Sequence, residues 1–280
     1  MGPEVDLVRH HFTIDVEECF HASAVGRWYP SSSWDDLPRR SPGVIDRLLE
    51  RLDVHGVRGT FFVLGWLARR EPQMVRAIAD AGHEIASHGW NHKKVGTEDV
   101  EAFRRSVRES KEELEQLSGE RVEGFRAPSF SIGPGREWAF DILIEEGYSY
   151  DSSVFPVYHP SYGDPDAPRD PYQVTREGGA LFEVPPCTLR LLGKNFAAAG
   201  GAYFRFFPYS FIRAAFRQAA RRKVPGTFYL HPWELDPDQP QLVVPPRVRL
   251  RTYAGGRRSW PRLDRFLDEF EFIPIRETLP

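Results

Sequence analysis

A closed barrel of parallel strands, each followed by a helix, is the α/β fold this sequence predicts, and three observations predict it. Strand-length apolar runs alternate with amphipathic segments of helical length along the chain, and strands separated by helices pair in parallel. Seven or eight such runs follow one another, a number that favours a barrel over a doubly wound sheet. No linker divides the 280 residues, and with 41% hydrophobic and 13% aromatic residues the chain can bury one large core. The expected organisation is a single domain over 1–280, with its core at about 9–236 and a C-terminal extension, 237–280, packed on the barrel.

The elements follow in order. "HHFTIDVE" alternates as a strand; "SPGVIDRLLERLDVHG" has Ser41 as cap, Pro42 at the first helical position and Gly56 at the end; "RGTFFVLG" is an apolar strand. The rhythm continues with helix "EPQMVRAIADAG", strand "HEIASH", helix "TEDVEAFRRSVRESKEELEQLSG", strand "VEGFRAP", helix "GREWAFDILIEEG" and strand "YSYDSS". Strand "ALFEVPP", helix "PYSFIRAAFRQAARRK", strand "GTFYLHP", helix "WPRLDRFLDEF" and a closing "EFIPI" complete it. Two stretches, 156–172 and 234–258, are rich in Pro, Gly and charge and read as long loops of the kind that shape binding sites.

Composition narrows the function classes. The 37 basic and 40 acidic side chains leave a formal charge of -3, which gives no general attraction to nucleic acid. Cys19 and Cys187 are too few for a disulfide framework, and the opening "MGPEVDLVRHHFTIDVEE" has no apolar run of signal-peptide or membrane-spanning length. Both features read as a cytoplasmic protein without an integral membrane segment.

The polar residues fall at strand ends. Asp15 and Glu17 close the first strand; His88 and His92 follow the third, Arg126 the fourth, Asp151 the fifth and His231 the seventh. In a parallel barrel those carboxyl ends share the face that carries chemistry. His88 and His92, four residues apart in "ASHGWNHKK", would share one face of a helical turn and could grip one metal ion. Two histidines and a carboxylate leave a position open for water, the pattern of catalytic zinc; cobalt or nickel suits the same donors. A second carboxylate can then take the water's proton and a histidine across the pocket can protonate a leaving group.

Five ordered motifs, "TIDVEE", "SHGWNH", "FRAPSF", "YDSS" and "FYLHPWELD", spread over Thr13 to Asp236, resemble the polysaccharide deacetylases related to chitin, peptidoglycan and nodulation deacetylases. The wording "DVEECF", "FRAPSFSI" and "HPWELDPDQP" is most similar to the subfamily found with exosortase-linked exopolysaccharide loci. The resemblance implies a distorted barrel of about seven β/α units and a zinc-dependent hydrolase that removes N-acetyl groups from an N-acetylated oligo- or polysaccharide, with no nucleic-acid partner. Carried over by position, it implies Asp15 as catalytic base, Arg126 as the residue orienting it, His231 as general acid and Asp151 as the acid's partner. It implies His88 and His92 as metal ligands and the backbone N–H of Ser129 as an oxyanion donor. The chain departs from the pattern at Val16, where the family has a second Asp. Asp15 and Glu17 point to the same side of a strand, so Glu17 is the candidate carboxylate ligand, with Asp15 and Glu18 the alternatives.

Trp90, Phe130 and Trp233 either stack on sugar rings or fill the barrel mouth. His10, His11, His21 and His159 lie near the active face without an assigned role. Three other readings stay open: a hydrolase of cyclic amides or ureides, a sugar O-deacetylase, and a catalytically silent carbohydrate-binding protein.

Overall fold

The structure, a computed structural model, describes residues 8–26, 28–160, 162–240 and 242–280. It begins with strand β1 (His10–Val16), buried along its whole length, then helix α1 (Ser41–Val54) and strand β2 (Thr60–Val63). Helices α2 (Gly65–Arg70) and α3 (Pro72–Asp80) lead to β3 (Glu84–Ser87), and α4 (Val100–Ser118) to β4 (Gly124–Phe125). Helix α5 (Trp138–Glu145) and β5 (Tyr150–Asp151) follow, then β6 (Tyr172–Arg176), β7 (Gly179–Glu183) and a hairpin of β8 (Thr188–Leu191) and β9 (Lys194–Ala197). The chain ends with α6 (Gly201–Phe206), α7 (Tyr209–Arg221), β10 (Thr227–Leu230), α8 (Pro246–Tyr253), α9 (Ser259–Glu269) and β11 (Phe272–Ile273).

Seven strands run parallel in the order β10-β1-β2-β3-β4-β5-β7, with β6 antiparallel on the outer edge and β11 pairing with β1. The barrel is therefore distorted rather than fully closed: no ladder joins β7 to β10. Single bridges, Pro186 to Thr227 and Gly200 to Tyr229, span the gap, helped by the Cys187 N–H donating to the Thr227 carbonyl at 2.9 Å. Gly200 makes that approach possible. It has φ 153°, and a Cβ there would meet the Tyr229 carbonyl oxygen at 1.7 Å.

Helix ends obey local chemistry. The Asp99 carboxylate accepts the Ala102 N–H at 2.7 Å to start α4, and Gly119, at φ 71°, ends it in the left-handed conformation. The apolar faces of the helices pack on the strands; Leu48, Ile78, Val107, Phe216 and Phe266 are fully buried. The residues after 236 are built into this structure, since β11 pairs with the start of β1 and Ile275 is buried against Phe62 and Tyr150.

Three expectations need correction. The 234–258 stretch is not all loop, because Pro246 at the first turn and the helix-compatible "RVRLRTY" form α8. The β8–β9 hairpin went unread because its turn is Leu192-Gly193, both at positive φ (49° and 77°), instead of the Asn-Gly or Asp-Gly pairs that mark such turns. The third is the "SHGWNH" segment, which forms no helical turn: Gly89 (φ 74°) and His92 (φ 53°) break it.

Gly200→Ala is predicted to lower stability by about 2–3 kcal/mol or more, because backbone blocks its new methyl group. Gly178→Ala, a position with open space, should stay within about 0.5 kcal/mol in the same denaturant titration.

Candidate metal centre and active site

Strand register sets the site. His88 follows β3 directly, and its N–H bonds the Val63 carbonyl of β2 at 3.0 Å; Arg126 follows β4 and bonds the Ser87 carbonyl at 2.9 Å; His231 follows β10. With Asp15 and Glu17 at the end of β1, His88, His92 and His231 converge on one cavity of about 510 Å³, which also takes in Lys94, Ser129, Phe130 and Trp233, while Arg126 is buried against Asp15.

Ligand atoms of Glu17, His88 and His92 lie within 4.8 Å of one another. The fit to a metal ion rests on how these atoms are used. His88 Nδ1 lies 2.8 Å from the Arg126 carbonyl, which only accepts, so Nδ1 carries the proton and Nε2 keeps its lone pair. Burial pulls the His88 imidazole down to about 4, so it is neutral near pH 7. Glu17 Oε2 is buried without a hydrogen-bond partner among the described residues, although His92 Nε2 stands 2.7 Å away. Burial alone would raise the Glu17 carboxyl, but His92, His231 and His88 hold it well below the usual carboxylate range. Two imidazoles and one carboxylate whose ligand atoms converge in this way are a donor set that suits a divalent cation. Glu18 is turned away: its Oε1 accepts the backbone N–H groups of Arg40 (2.8 Å) and Ser41 (2.7 Å).

Beside this cluster, Arg126 is fully buried and donates to Asp15 Oδ1 (2.7 Å), Thr13 Oγ1 (2.7 Å), Ser152 Oγ (2.8 Å) and the Ser152 carbonyl (3.1 Å). The other Asp15 oxygen faces His231 Nε2 at 3.9 Å, and Glu17 Oε1 lies 3.7 Å from the same nitrogen. His231 Nδ1 bonds Glu234 Oε2 at 2.8 Å, and Glu234 Oε1 accepts from Arg205 Nε at 2.7 Å. Burial pulls the His231 imidazolium down, but the Glu234 hydrogen bond and charge, together with Glu17 and Asp15, more than reverse this and push it up to about 9. Trp233 lies flat against His231, with ring centres 5.0 Å apart, and donates from Nε1 to Glu17 Oε1 at 3.1 Å.

Two candidates are placed elsewhere. Asp151 does not meet His231: its Oδ1 accepts from Ser153 Oγ at 2.5 Å and its Oδ2 from the Ser153 N–H, beside Glu183 on the adjacent strand. Burial raises both carboxyls, and the neighbouring Asp151 raises Glu183 further. Trp90 is outside the cavity. Its ring packs where a Gly65 Cβ would sit, at 2.5 Å, and Arg69 covers it at 4.5 Å. Phe130 and Trp233 do line the cavity, as does Ser129, whose Oγ bonds Ser23 Oγ at 2.7 Å. Of the five non-glycine residues at positive φ among those described, His92, Ser129 and Phe130 line this cavity, and strain of that kind collects at functional sites. Sequence reasoning missed Glu234 and Arg205. Glu234 had a signal, three residues after His231 in "HPWE"; Arg205 had none. Among the other histidines, His11 is buried between Thr227 and Thr278, and His21 is packed against Trp34 and Trp66; His159 reaches the cavity.

Comparisons with known proteins bear on this arrangement. Residues 30–134 match the family described as polysaccharide deacetylase, and residues 152–280 the family described as domain of unknown function (DUF3473). A peptidoglycan-N-acetylglucosamine deacetylase of Bacillus cereus (strain ATCC 14579) is 32% identical over 118 residues, 38% of this chain and 43% of that protein. The chain therefore spans less than half the length of that relative. The crystal structure of a probable polysaccharide deacetylase from Pseudomonas aeruginosa PAO1 superposes with a TM-score of 0.61 at 18% identity, covering 96% of this chain and 88% of the other. That of the PuuE allantoinase gives 0.63 at 17% identity, covering 98% and 90%. At these identities the two likenesses are of fold alone. Among the described residues, no helix is long and apolar enough to cross a membrane. Residues 30–134 are thus similar to the polysaccharide deacetylase family, and residues 152–280 to a family of unknown function.

Proposed function

We propose that the protein is a metal-dependent hydrolase that removes N-acetyl groups from N-acetylhexosamine units of an oligo- or polysaccharide. The observation that supports this best is the pairing of a three-donor cluster, Glu17, His88 and His92, with a carboxylate and an imidazole on its open side. Those two groups are anchored from behind by different partners, Asp15 by Arg126 and His231 by Glu234. A divalent ion held by the cluster, zinc in the first instance, supplies a Lewis acid for the acetyl carbonyl and lowers the pKa of water.

The chain's own residues carry the proton steps. Asp15 Oδ2, the carboxylate oxygen facing the cavity, accepts a proton from the attacking water. His231 keeps Nδ1 on Glu234 and presents Nε2 to the departing nitrogen, donating its proton as the carbon–nitrogen bond breaks to give acetate and the amine. The left-handed Ser129–Phe130 turn orients a backbone N–H as an oxyanion donor.

Three outcomes test this reading. Asp15→Asn should keep its metal, measured by atomic absorption, while acetate release from N-acetylglucosamine oligomers falls roughly 10²–10⁴-fold; a fully active variant would refute the base assignment. His88→Ala should lose stoichiometric metal, and in the unmodified protein a chelator should abolish acetate release and zinc restore it. The third concerns pH. Because His231 must be protonated to act and its pKa lies at about 9, activity should fall as pH rises through that value. Glu234→Gln removes the charge that raises it, so the alkaline limb of kcat/KM should move down by about 1–3 units; an unmoved limb would exclude His231 as the acid.

A further inference from the structure

From an aromatic wall that lines the same cavity as the ligand cluster, we infer a saccharide subsite, one that takes the pyranose ring adjoining the sugar whose acetyl group is removed; the inference rests on the deacetylase reading above. That wall comes entirely from residues 152–280, the part whose family is described as of unknown function: His159 and Tyr162 from the long loop after β5, and Tyr203, Phe206 and Phe207 from α6 and its end.

Its chemistry is that of a sugar-binding surface. Phe206 is 47% exposed although it lines a cavity, an apolar ring with the Arg205 guanidinium 5.3 Å from its centre and the rest of its surface open. A pyranose offers an apolar face of C–H groups and a rim of hydroxyls, and the negative face of an aromatic ring attracts the former. The rim finds its match in Tyr162 and Tyr203, whose hydroxyls bond each other at 2.7 Å and thereby join the loop to α6.

Ring contacts and hydrogen bonds also hold the side chains of this wall, and groups already held lose less entropy on binding. His159 stacks on Tyr162 with ring centres 3.9 Å apart, and Tyr162 lies parallel to the buried Phe155. Gly163, at φ 90°, lets the loop turn where a Cβ would meet the Val157 carbonyl oxygen at 2.4 Å. Helix α6 is pinned through Arg205, which donates to Glu234 and to the carbonyls of Thr252 (3.1 Å) and Ala254 (2.6 Å). Glu234 also holds His231, so the wall and the proton donor share one anchor. A cavity of about 510 Å³ holds roughly 17 waters' worth of liquid, room for more than the acetamido sugar at the cluster.

The test uses N-acetylglucosamine monomer and trimer with the full chain and Phe206→Ala. Trimer binding by isothermal titration should weaken at least about tenfold in the variant, and the ratio of kcat/KM for trimer over monomer should fall by a similar factor, carried by KM. An unchanged trimer affinity, or a loss that is equal for monomer and trimer, would overturn the subsite. Binding is read without turnover, so a protein that binds trimer through Phe206 but releases no acetate would keep the subsite and sink the deacetylase reading.

Discussion

The buried pair of Arg126 and Asp15 is the constraint around which this molecule is organised. A guanidinium with no exposed surface is costly to bury unless its donors are used, and here they reach Asp15 and Thr13 on β1 and Ser152 after β5. Thr13 passes the connection to the Phe228 carbonyl of β10 and Ser152 to the Val184 carbonyl beyond β7. One side chain therefore spans the barrel interior across strands that no ladder closes. Removing one partner of such a pair costs about 3–5 kcal/mol, so Asp15 cannot drift from the position that faces His231. The same residue that closes the fold aims the carboxylate.

Around that pair, charges are sorted by partner. His231 takes Glu234, three residues along a tight turn, where one oxygen, Oε2, meets both its backbone N–H (3.2 Å) and Nδ1 (2.8 Å). Asp151 is left to a different task. Its contact with Ser153, whose Oγ accepts the Ala127 N–H at 2.7 Å, fastens the end of β5 to the start of the turn that holds Ser129 and Phe130 in left-handed geometry. Two strained residues in succession cost on the order of 1–3 kcal/mol each, and the buried hydrogen bonds that run from Asp151 through Ser153 to Ala127 help to offset such strain.

Much of this was legible in the sequence because strand ends announce themselves. Asp15, Glu17, His88, Arg126 and His231 each close an apolar run, and in a parallel sheet that alone brings them to one face. Long-range partners were less legible. The spacing of His88 and His92 suggested a helix, yet a loop brings their rings to 5.3 Å because Gly89 and His92 leave helical geometry. Trp90 sits between them in sequence but turns outward onto Gly65, a contact set by tertiary packing. Asp151 and His231 were paired by motif position alone; only the folded chain shows Glu234 to be nearer.

The seam between the two family matches falls through the cavity itself. Residues 30–134 bring His88, His92 and Ser129, whereas residues 152–280 bring His231, Glu234 and the aromatic wall. Asp15 and Glu17 precede both, on a strand that pairs with β2 on one side and β10 on the other. A strand in that position belongs equally to each half, and its register fixes the distance from Glu17 to His92 and to His231. It follows that neither matched segment holds a complete site. The contact of Glu17 with both His92 (2.7 Å) and His231 (3.7 Å) is where the two halves meet in one cavity, and a shift of β1 against either neighbour would break it.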